Sequence, residues 1–104
     1  MAQFDVHGNT NAGTESHIPC LLDVQADLLD SLSTRVVVPL ISQPAMGKPI
    51  IHLNPRFDID GESVFMSTAE LAGVPVRILG PKITSLKDRR DVIMAALDFL
   101  LLGF

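Results

Sequence analysis

The last stretch of the chain, residues 84–104, constrains the fold more than any other. It reads TSLKDRRDVIMAALDFLLLGF and consists mainly of good helix formers, with no Gly or Pro before Gly103. Ser85 and Asp88 resemble a capping box, in which a side-chain oxygen accepts from free backbone amides and an acid lies near the positive helix end. The sequence therefore predicts a long C-terminal α-helix that begins near residue 84.

This predicted helix carries two apolar stripes. One has the spacing of a helix face turned toward a core and consists of Leu86, Ile93, Leu97 and Leu100. The other is rotated well away from the first and consists of Val92, Ala95, Phe99 and Leu102. Each large apolar side chain left in water forgoes about 1.5–3 kcal/mol. We therefore expect a protein partner, a second copy or a foreign target, on the second stripe and the chain end. The alternative is that the last turn packs beneath a neighbouring loop.

Length, charge and cysteine content restrict the class of protein. A chain of 104 residues predicts one domain, residues 1–104, with one core. The net charge of −4 argues against direct nucleic-acid binding, which needs clustered Lys and Arg. The single Cys20 cannot form an internal disulfide and no signal peptide is visible, so we expect a cytoplasmic protein. Residues 92–104 are too short to span a membrane and contain Asp98, so no membrane association is expected.

The rest of the chain has the pattern of short strands joined by loops. The candidate strands cover residues 3–6, 18–24, 34–41, 49–53, 56–59, 62–68 and 74–79. Three valines in a row indicate a strand that is buried on both faces or lies within a tightly curved barrel, and Pro39 predicts an edge or a bulge at the end of that strand. Asp60–Gly61 predicts a type I′ hairpin turn, and Gly80–Pro81 is expected to end the last strand. This order predicts an α+β, mainly β fold, a small barrel-like antiparallel sheet with a helix against it.

No pattern for metal binding or nucleophilic catalysis is evident. His7, His17 and His52 are far apart in sequence, and none has metal-ligand spacing to another histidine, cysteine or carboxylate. Cys20 lies in a strand pattern and is interpreted as a small buried apolar residue. We therefore expect no catalytic residue, no metal and no cofactor.

Two charged groups admit a functional interpretation beside a simpler one. Acids recur in the turn after the second strand, at Asp23, Asp27 and Asp30. Paired carboxylates can perform acid–base chemistry, but acids around a turn are more often solvated or capping. Similarly, residues 87–90 carry three cations that could contact phosphate, although a solvated helix face is the simpler interpretation. The positive signal is apolar: Leu28–Leu29, flanked by acids, and the chain end.

One segment resembles a known family. Residues 22–40, LDVQADLLDSLSTRVVVPL, are similar to part of the CcdB family of toxins from toxin–antitoxin modules. That family has a V-D-V-Q-x-D-hydrophobic-hydrophobic-D turn, followed by an Arg-containing strand that ends in P-L. Further similarity lies in the N-terminal strand, the central hairpin, a V-P-V strand and the C-terminal helix, at residues 1–6, 60–66, 73–76 and 91–104. The similarity therefore runs end to end in family-like order.

The resemblance implies a structure and a function. Family members are small SH3-like antiparallel barrels, similar to the Kid and MazF toxins, with a C-terminal helix, and they form homodimers. They bind the A subunit of DNA gyrase and trap its DNA-cleavage complex, they are neutralised by a CcdA-like antitoxin, and with it they repress their operon and contribute to plasmid maintenance. Operator DNA is contacted only through the antitoxin, and no member is an enzyme in its own right.

The family's functional positions can be carried over to this chain. The gyrase-binding positions correspond to Leu28, Leu29, Asp98, Leu102, Gly103 and Phe104. The dimer interface is expected on the second apolar stripe, at Val92, Ala95, Phe99 and Leu102.

Two departures from the family pattern leave alternatives open. The best-studied members have Trp at the position of Leu102 and Asn at the position of Asp98. Leu lacks the π face of Trp, and Asp adds a charge. Losing a central aromatic contact commonly costs about 2 kcal/mol, or about thirtyfold in affinity, so we expect weakened or altered gyrase poisoning, with Phe104 restoring some contact. The first alternative is a diverged toxin that only binds its antitoxin. The second, disfavoured by the charge of −4, is a MazF-like or Kid-like ribonuclease.

Overall fold

The computed structural model describes residues 2–104, and Met1, the first residue of the family-like N-terminal segment, lies outside the described residues. Within that range the strands are β1 (Asp5–Asn9), β2 (Cys20–Asp23), β3 (Thr34–Ser42), β4 (Arg56–Ile59), β5 (Glu62–Met66), β6 (Ala72–Pro75) and β7 (Leu79–Ser85). Helix α1 (Gln43–Met46) is a single turn, and helix α2 (Arg90–Leu102) is the long C-terminal helix. Short 3-10 turns cover Asp27–Leu29, Thr68–Glu70, Val76–Ile78 and Lys87–Arg89.

The strands form one antiparallel sheet with the order β4-β5-β3-β2-β1-β7, and β6 pairs with β3 beside this path. The sheet curls into a half-barrel, and α2 lies against its buried face. The predicted fold class, an antiparallel barrel-like sheet with a C-terminal helix, is therefore confirmed.

The core lies between the curled sheet and α2. The strands contribute apolar side chains that include Val6, Leu22, Leu40, Val64 and Met66, and the helix contributes Ile93 and Ala96. Two cations at the start of the helix lie over aromatic rings: the Arg89 guanidinium is 5.0 Å from the centroid of Phe57, and that of Arg90 is 6.0 Å from Phe4. These contacts fix the helix start on the sheet, since a cation over a ring face is attracted by its quadrupole.

Strand β3 is the central strand of the sheet, which corrects the expectation of an edge or bulge at Pro39. One edge of β3 pairs with β2, where Pro39 lies opposite Leu21. The Pro39 carbonyl accepts from the Ser67 amide at 2.9 Å. The backbone nitrogen of Pro39 lies on the same edge of β3 as that carbonyl. Along this edge residues 34–37 pair with β6 and residues 40–42 pair with β5, so Pro39 lies in the gap between the two pairings. A proline is tolerated here because no strand residue needs its amide.

The hairpin of β4 and β5 has the predicted turn. Asp60 and Gly61 have φ values of 50° and 82°, and two consecutive positive φ angles are the signature of a type I′ turn. The predicted first strand of the hairpin, residues 56–59, matches β4 residue for residue, while the second ends at Met66 rather than Thr68.

The C-terminal helix starts later than predicted. Thr84 and Ser85 belong to β7, where they pair with Val6 and Asp5, so sheet pairing overrides helix propensity at these residues. The Ser85 hydroxyl does accept from the Lys87 amide at 3.3 Å, but Lys87 begins the 3-10 turn before the helix and not the helix itself. At the other end, Gly103 adopts φ 81° and its amide bonds to the Phe99 carbonyl at 3.0 Å, a left-handed glycine cap.

Two other strand predictions also differ from the structure. Residues 49–53 form a turn rather than a strand, because the Asn54 side chain accepts from the Ile50 amide and the Ile50 carbonyl accepts from the amides of Leu53 and Asn54. The first strand is Asp5–Asn9 instead of residues 3–6, because Phe4 has φ 72°, which interrupts extended backbone.

The predicted strand at residues 74–79 is divided between two strands. Strand β6 ends at Pro75, a 3-10 turn follows, and β7 begins at Leu79. Gly80–Pro81 does not end a strand, because β7 pairs with β1 across irregular register shifts that accommodate this dipeptide.

Candidate protein-interaction surface

The first part of the candidate surface is the turn after β2. The amides of Leu29 and Asp30 bond to the carbonyls of Ala26 and Asp27 at 3.0 and 3.1 Å, which closes the 3-10 turn. Leu28 is 93% exposed and Leu29 is 48% exposed. We call this turn, Asp27–Leu29, the leucine turn. A tight turn that presents two large apolar side chains to solvent does not help to build the core, and is typical of a binding surface.

A buried ion pair lies beneath the leucine turn. Arg35 on β3 is 1% exposed and Asp23 at the end of β2 is 0% exposed, and Arg35 Nε donates to Asp23 Oδ2 at 2.8 Å. Arg35 Nη1 also donates to Asp30 Oδ1 at 3.1 Å, and Nη2 donates to the Gln25 carbonyl at 3.3 Å. Because the guanidinium fork is rigid and all of these partners belong to residues 23–30, Arg35 holds both ends of the segment that contains the leucine turn.

The Gln25 side chain also ties the leucine turn to the sheet. Its Nε2 donates to the Leu29 carbonyl at 3.0 Å, and its Oε1 accepts from the Val36 amide at 3.0 Å. The Gln25 amide in turn donates to Asp23 Oδ1 at 2.9 Å. Gln25 is buried, and a buried side-chain amide needs hydrogen-bond partners. Its nitrogen and its oxygen both have one, in the backbone of the turn and in the backbone of β3.

The N-terminal segment holds the other side of this turn. The Gln3 amide donates to Asp27 Oδ1 at 2.7 Å, and Gln3 Nε2 donates to the Val24 carbonyl at 3.2 Å.

The interpretation of the three acids as solvated or capping is wrong for Asp23, which pairs with the buried cation of Arg35. The sequence signal that could have found this role is Arg35 itself, a lone cation at the start of a valine-rich strand, which needs a buried acid.

The second part of the candidate surface is the end of α2. On the stripe predicted to face the core, Ile93 and Leu86 are buried and Leu97 and Leu100 are half-buried. On the second stripe Val92, Ala95 and Leu102 are exposed and Phe99 is half-buried. The two faces expected from the spacing are therefore present, and the second is only partly covered by this chain.

The chain end itself is open to solvent. Leu102 is 62% exposed and Phe104 is 84% exposed, and Leu101 is exposed beside them. Phe99 contacts the ring of His52, edge to face, with centroids 6.3 Å apart. The last turn is therefore partly covered at Phe99 and Leu100, as in the alternative in which it packs beneath a loop, whereas residues 101–104 are exposed.

Asp98 and Gly103, the two remaining positions of the predicted site, are also accessible to solvent. Asp98 is exposed, and among residues 2–104 it takes part in no ion pair. Gly103 is exposed in the left-handed conformation, with nothing within 4 Å of the position of an added Cβ. The backbone therefore bends away from the helix axis at Gly103 and directs Phe104 into solvent.

The leucine turn and the chain end lie toward opposite ends of α2. Asp27, which begins the turn, lines a cleft together with Lys87 and Arg90 at the start of the helix. A rise of about 1.5 Å per residue places Leu102 about 18 Å along the helix from Arg90. A partner that contacts both parts of the same chain must therefore extend along the helix.

The remaining candidate groups for chemistry do not assemble. Across residues 2–104 no group of three or more His, Cys, Asp and Glu side chains is arranged to hold a metal ion. Cys20 is a buried core residue, as interpreted from the sequence, and burial, with smaller effects of Glu62 and Asp60, raises the pKa of its thiol to about 12. A protonated thiol is a poor nucleophile. None of the described helices is both long and apolar enough to cross a bilayer.

The protein is thus an antiparallel half-barrel with a C-terminal helix, and it exposes large apolar side chains on a turn and at the chain end. Residues 3–103 match the family model described as CcdB protein, which spans nearly the whole chain. The chain therefore belongs to the CcdB family, as its motifs indicated. This is a family of toxin–antitoxin toxins that act on DNA gyrase as poisons rather than as enzymes in their own right.

Proposed function

We propose that this chain is the toxin of a type II toxin–antitoxin system, that it binds the A subunit of DNA gyrase and that it traps the DNA-cleavage complex of the enzyme. The observation that carries the proposal is the exposure of Leu28, Leu102 and Phe104 in a chain of this family. Three large side chains in water have about 1.5–3 kcal/mol each to gain from burial. That gain is available only through another macromolecule.

The proposed gyrase contact combines both parts of the surface. The leucine turn supplies Leu28 and Leu29, and the chain end supplies Leu102, Gly103 and Phe104, with Asp98 at the border. Leu102 provides apolar area without an aromatic face, so the contact is weaker than one centred on Trp. The exposed Asp98 carboxylate favours a cation on the partner, because a charge buried without a partner is costly.

The second apolar stripe is the proposed homodimer interface. Val92, Ala95 and Phe99 lie one above the other on the helix, and small Ala95 permits close approach of a second helix. Leu102 belongs to both proposed contacts, so it lies at the boundary between the dimer partner and gyrase.

The antitoxin and the operator complete the proposal. A CcdA-like antitoxin neutralises the toxin, and the two repress their own operon together. The net charge of −4 supports a division of labour in which the antitoxin, and not this chain, contacts operator DNA, since phosphate contacts depend on clustered cations.

The experiment is a calorimetric titration of the protein into the dimerisation fragment of gyrase A. Wild type should bind, and deletion of residues 102–104 should abolish binding while the circular dichroism spectrum, the melting temperature and antitoxin binding stay close to wild type. The Leu102→Trp variant should bind more tightly, by about tenfold to thirtyfold. A truncated chain that still binds gyrase and arrests growth would show that the chain end is not the contact.

One observation favours a second candidate function. Leu102 stands where the best-studied members have Trp, which suits a diverged toxin that binds its antitoxin and has lost the action on gyrase. Expression in a host with functional gyrase separates the two functions. Growth arrest that is relieved by the antitoxin supports the gyrase poison, and unaffected growth with antitoxin binding intact supports the second candidate.

A further inference from the structure

We propose that Gln25 is a positioning residue: its side chain holds the leucine turn in the conformation that presents Leu28 and Leu29 to a partner. The inference rests on the proposed function for the identity of the partner, gyrase A. The turn geometry on which it depends belongs to this chain alone, so the two can fail separately.

The leucine turn makes few stabilising contacts of its own. It is a single 3-10 turn of three residues, none of which is buried. Leu28 is almost wholly exposed, so hydrophobic burial does not fix its position. Short 3-10 turns have poorer hydrogen-bond geometry than α-helices. The conformation of this turn must therefore be determined by contacts made from outside it.

Gln25 makes a side-chain hydrogen bond to the backbone of the turn, whereas the Gln3 amide contacts only the side chain of Asp27. Gln25 Nε2 donates to the carbonyl of Leu29, one of the two presented residues, at 3.0 Å. Its Oε1 accepts a hydrogen bond from the Val36 amide of the central strand, with a donor–acceptor distance of 3.0 Å. The Gln25 backbone is fixed as well, because its amide donates to Asp23 and its carbonyl accepts from Arg35. A buried side-chain amide thus connects the turn to the central strand of the sheet.

The hydrogen bond from Gln25 to the Leu29 carbonyl should affect the affinity for the partner. A loop that is already ordered in its bound conformation avoids part of the ordering cost of association. Loosening the link at Leu29 leaves the core untouched but increases the number of conformations that the leucine turn samples. Affinity for the partner should fall while the fold is retained, which a merely structural role would not produce.

The test variant is Gln25→Glu, which keeps an acceptor for the Val36 amide and, with its carboxyl ionised, has no donor for the Leu29 carbonyl. The chain offers a matched control in Asn54. Asn54 Oδ1 accepts from the Ile50 amide at 2.9 Å and its Nδ2 donates to the Met66 carbonyl at 3.0 Å. Asn54→Asp therefore makes the same chemical change in a loop outside the proposed gyrase contact.

Two readouts are taken on the full chain. The first is amide hydrogen exchange at Leu29, Asp30 and Leu32, whose amides close the turn. We expect Gln25→Glu to speed this exchange about threefold to tenfold, the effect of one lost hydrogen bond, and Asn54→Asp to leave it unchanged. The second is the dissociation constant for the gyrase A dimerisation fragment, which should rise by a similar factor in Gln25→Glu only.

The outcomes separate the inference from the proposed function. If wild type does not bind gyrase, the proposed function fails, and the exchange result alone decides whether Gln25 positions the turn. Equal exchange in wild type and Gln25→Glu overturns the inference, as does an equal loss of affinity in Asn54→Asp.

A second variant covers the case in which Gln25→Glu does not fold. Gln25→Met keeps the approximate length of the side chain, adds no charge and removes both of its hydrogen bonds. The inference then predicts faster exchange at Leu29 and Leu32 by about threefold or more. No acceleration in this folded variant would overturn the inference.

Discussion

At the scale of single residues, the buried pair of Arg35 and Asp23 is the feature that connects stability to the candidate surface. Both side chains are almost completely removed from solvent. Arg35 is the only cation paired with Asp23 among residues 2–104, whereas Arg35 also pairs with the exposed Asp30. Breaking such a pair from one side leaves an uncompensated buried charge. The family motif around Asp23, Gln25 and Asp30 therefore has a physical explanation: these residues surround the Arg35 guanidinium.

Replacing Arg35 should be strongly destabilising. We expect Arg35→Met to lower the free energy of unfolding by about 3–5 kcal/mol, because the Asp23 carboxylate is left buried without a cation. The matched control is Arg56→Met, since Arg56 pairs with Asp58 on the surface with both side chains more than half exposed, and it should cost less than about 1 kcal/mol. Urea unfolding measures both. Similar losses in the two variants would contradict this account of the pair.

Cys20 should make the fold sensitive to alkaline pH. Burial raises its pKa to about 12 from an ordinary value of 9.0. Below the ordinary value the thiol is protonated in both states and contributes no pH dependence. Between the two values the unfolded chain releases the proton and the folded chain does not, so the free energy of unfolding falls as pH rises.

The measurement is urea unfolding at about pH 8 and about pH 10.5, on wild type and on Cys20→Ala. The alanine variant has lost the thiol, so its stability should decline less between the two pH values, whatever its absolute stability. Parallel declines in the two proteins would mean that Cys20 is not the group responsible.

At the scale of secondary-structure elements, β7 is where sequence patterns and structure differ most. The pattern predicted a break at Gly80–Pro81 and a helix that begins at residue 84, whereas β7 runs through both regions as Leu79–Ser85. The reason is long-range pairing with β1, which no local pattern contains. Gly80 permits this pairing, because a Cβ at that position would lie 2.6 Å from the carbonyl oxygen of Gly8.

Two glycine substitutions in strands should have opposite effects. Gly80→Ala should lower the free energy of unfolding by about 1–3 kcal/mol, since the added methyl meets backbone that cannot move aside cheaply. Gly73→Ala in β6 should be neutral or raise it by about 0.4–1 kcal/mol, because no atom lies within 4 Å of the added Cβ and the alanine restricts the unfolded chain. Thermal and urea unfolding of both variants provide the comparison. A Gly80→Ala protein as stable as wild type would refute the close approach of β1 and β7.

Elements with a strong local signal were predictable, and elements that depend on distant partners were not. The β4–β5 turn is fixed by Asp60–Gly61, and the two faces of α2 follow from helical spacing. The turn at residues 49–53 depends on a hydrogen bond from the Ile50 amide to the Asn54 side chain. The apolar pattern of residues 49–53 does not contain this contact, and it therefore predicted a strand. For the candidate surface, the exposed residues could be predicted from sequence, while the Arg35 and Gln25 contacts that hold them could not.

At the scale of the whole molecule, the chain carries more apolar surface than its own core uses. Its mean hydropathy is +0.34, and the large apolar side chains left exposed include Leu28, Ile51, Leu101, Leu102 and Phe104. Isolated exposed apolar residues are ordinary, but adjacent ones at a turn and at a chain end mark interaction sites. The chain belongs to the CcdB family, whose members are toxin–antitoxin toxins that act on gyrase, and we propose that these exposed residues make its gyrase contact.

The most direct test of the proposed gyrase contact is a titration of gyrase A fragment with two serine variants that differ only in location. Leu28→Ser alters the leucine turn, and Ile51→Ser alters a similarly accessible side chain outside the proposed contact; the two residues are 93% and 78% exposed. Neither should change the melting temperature. We predict that Leu28→Ser raises the dissociation constant about tenfold or more, and that Ile51→Ser leaves it within about twofold. Equal effects of the two variants, or a larger effect of Ile51→Ser, would contradict the assignment.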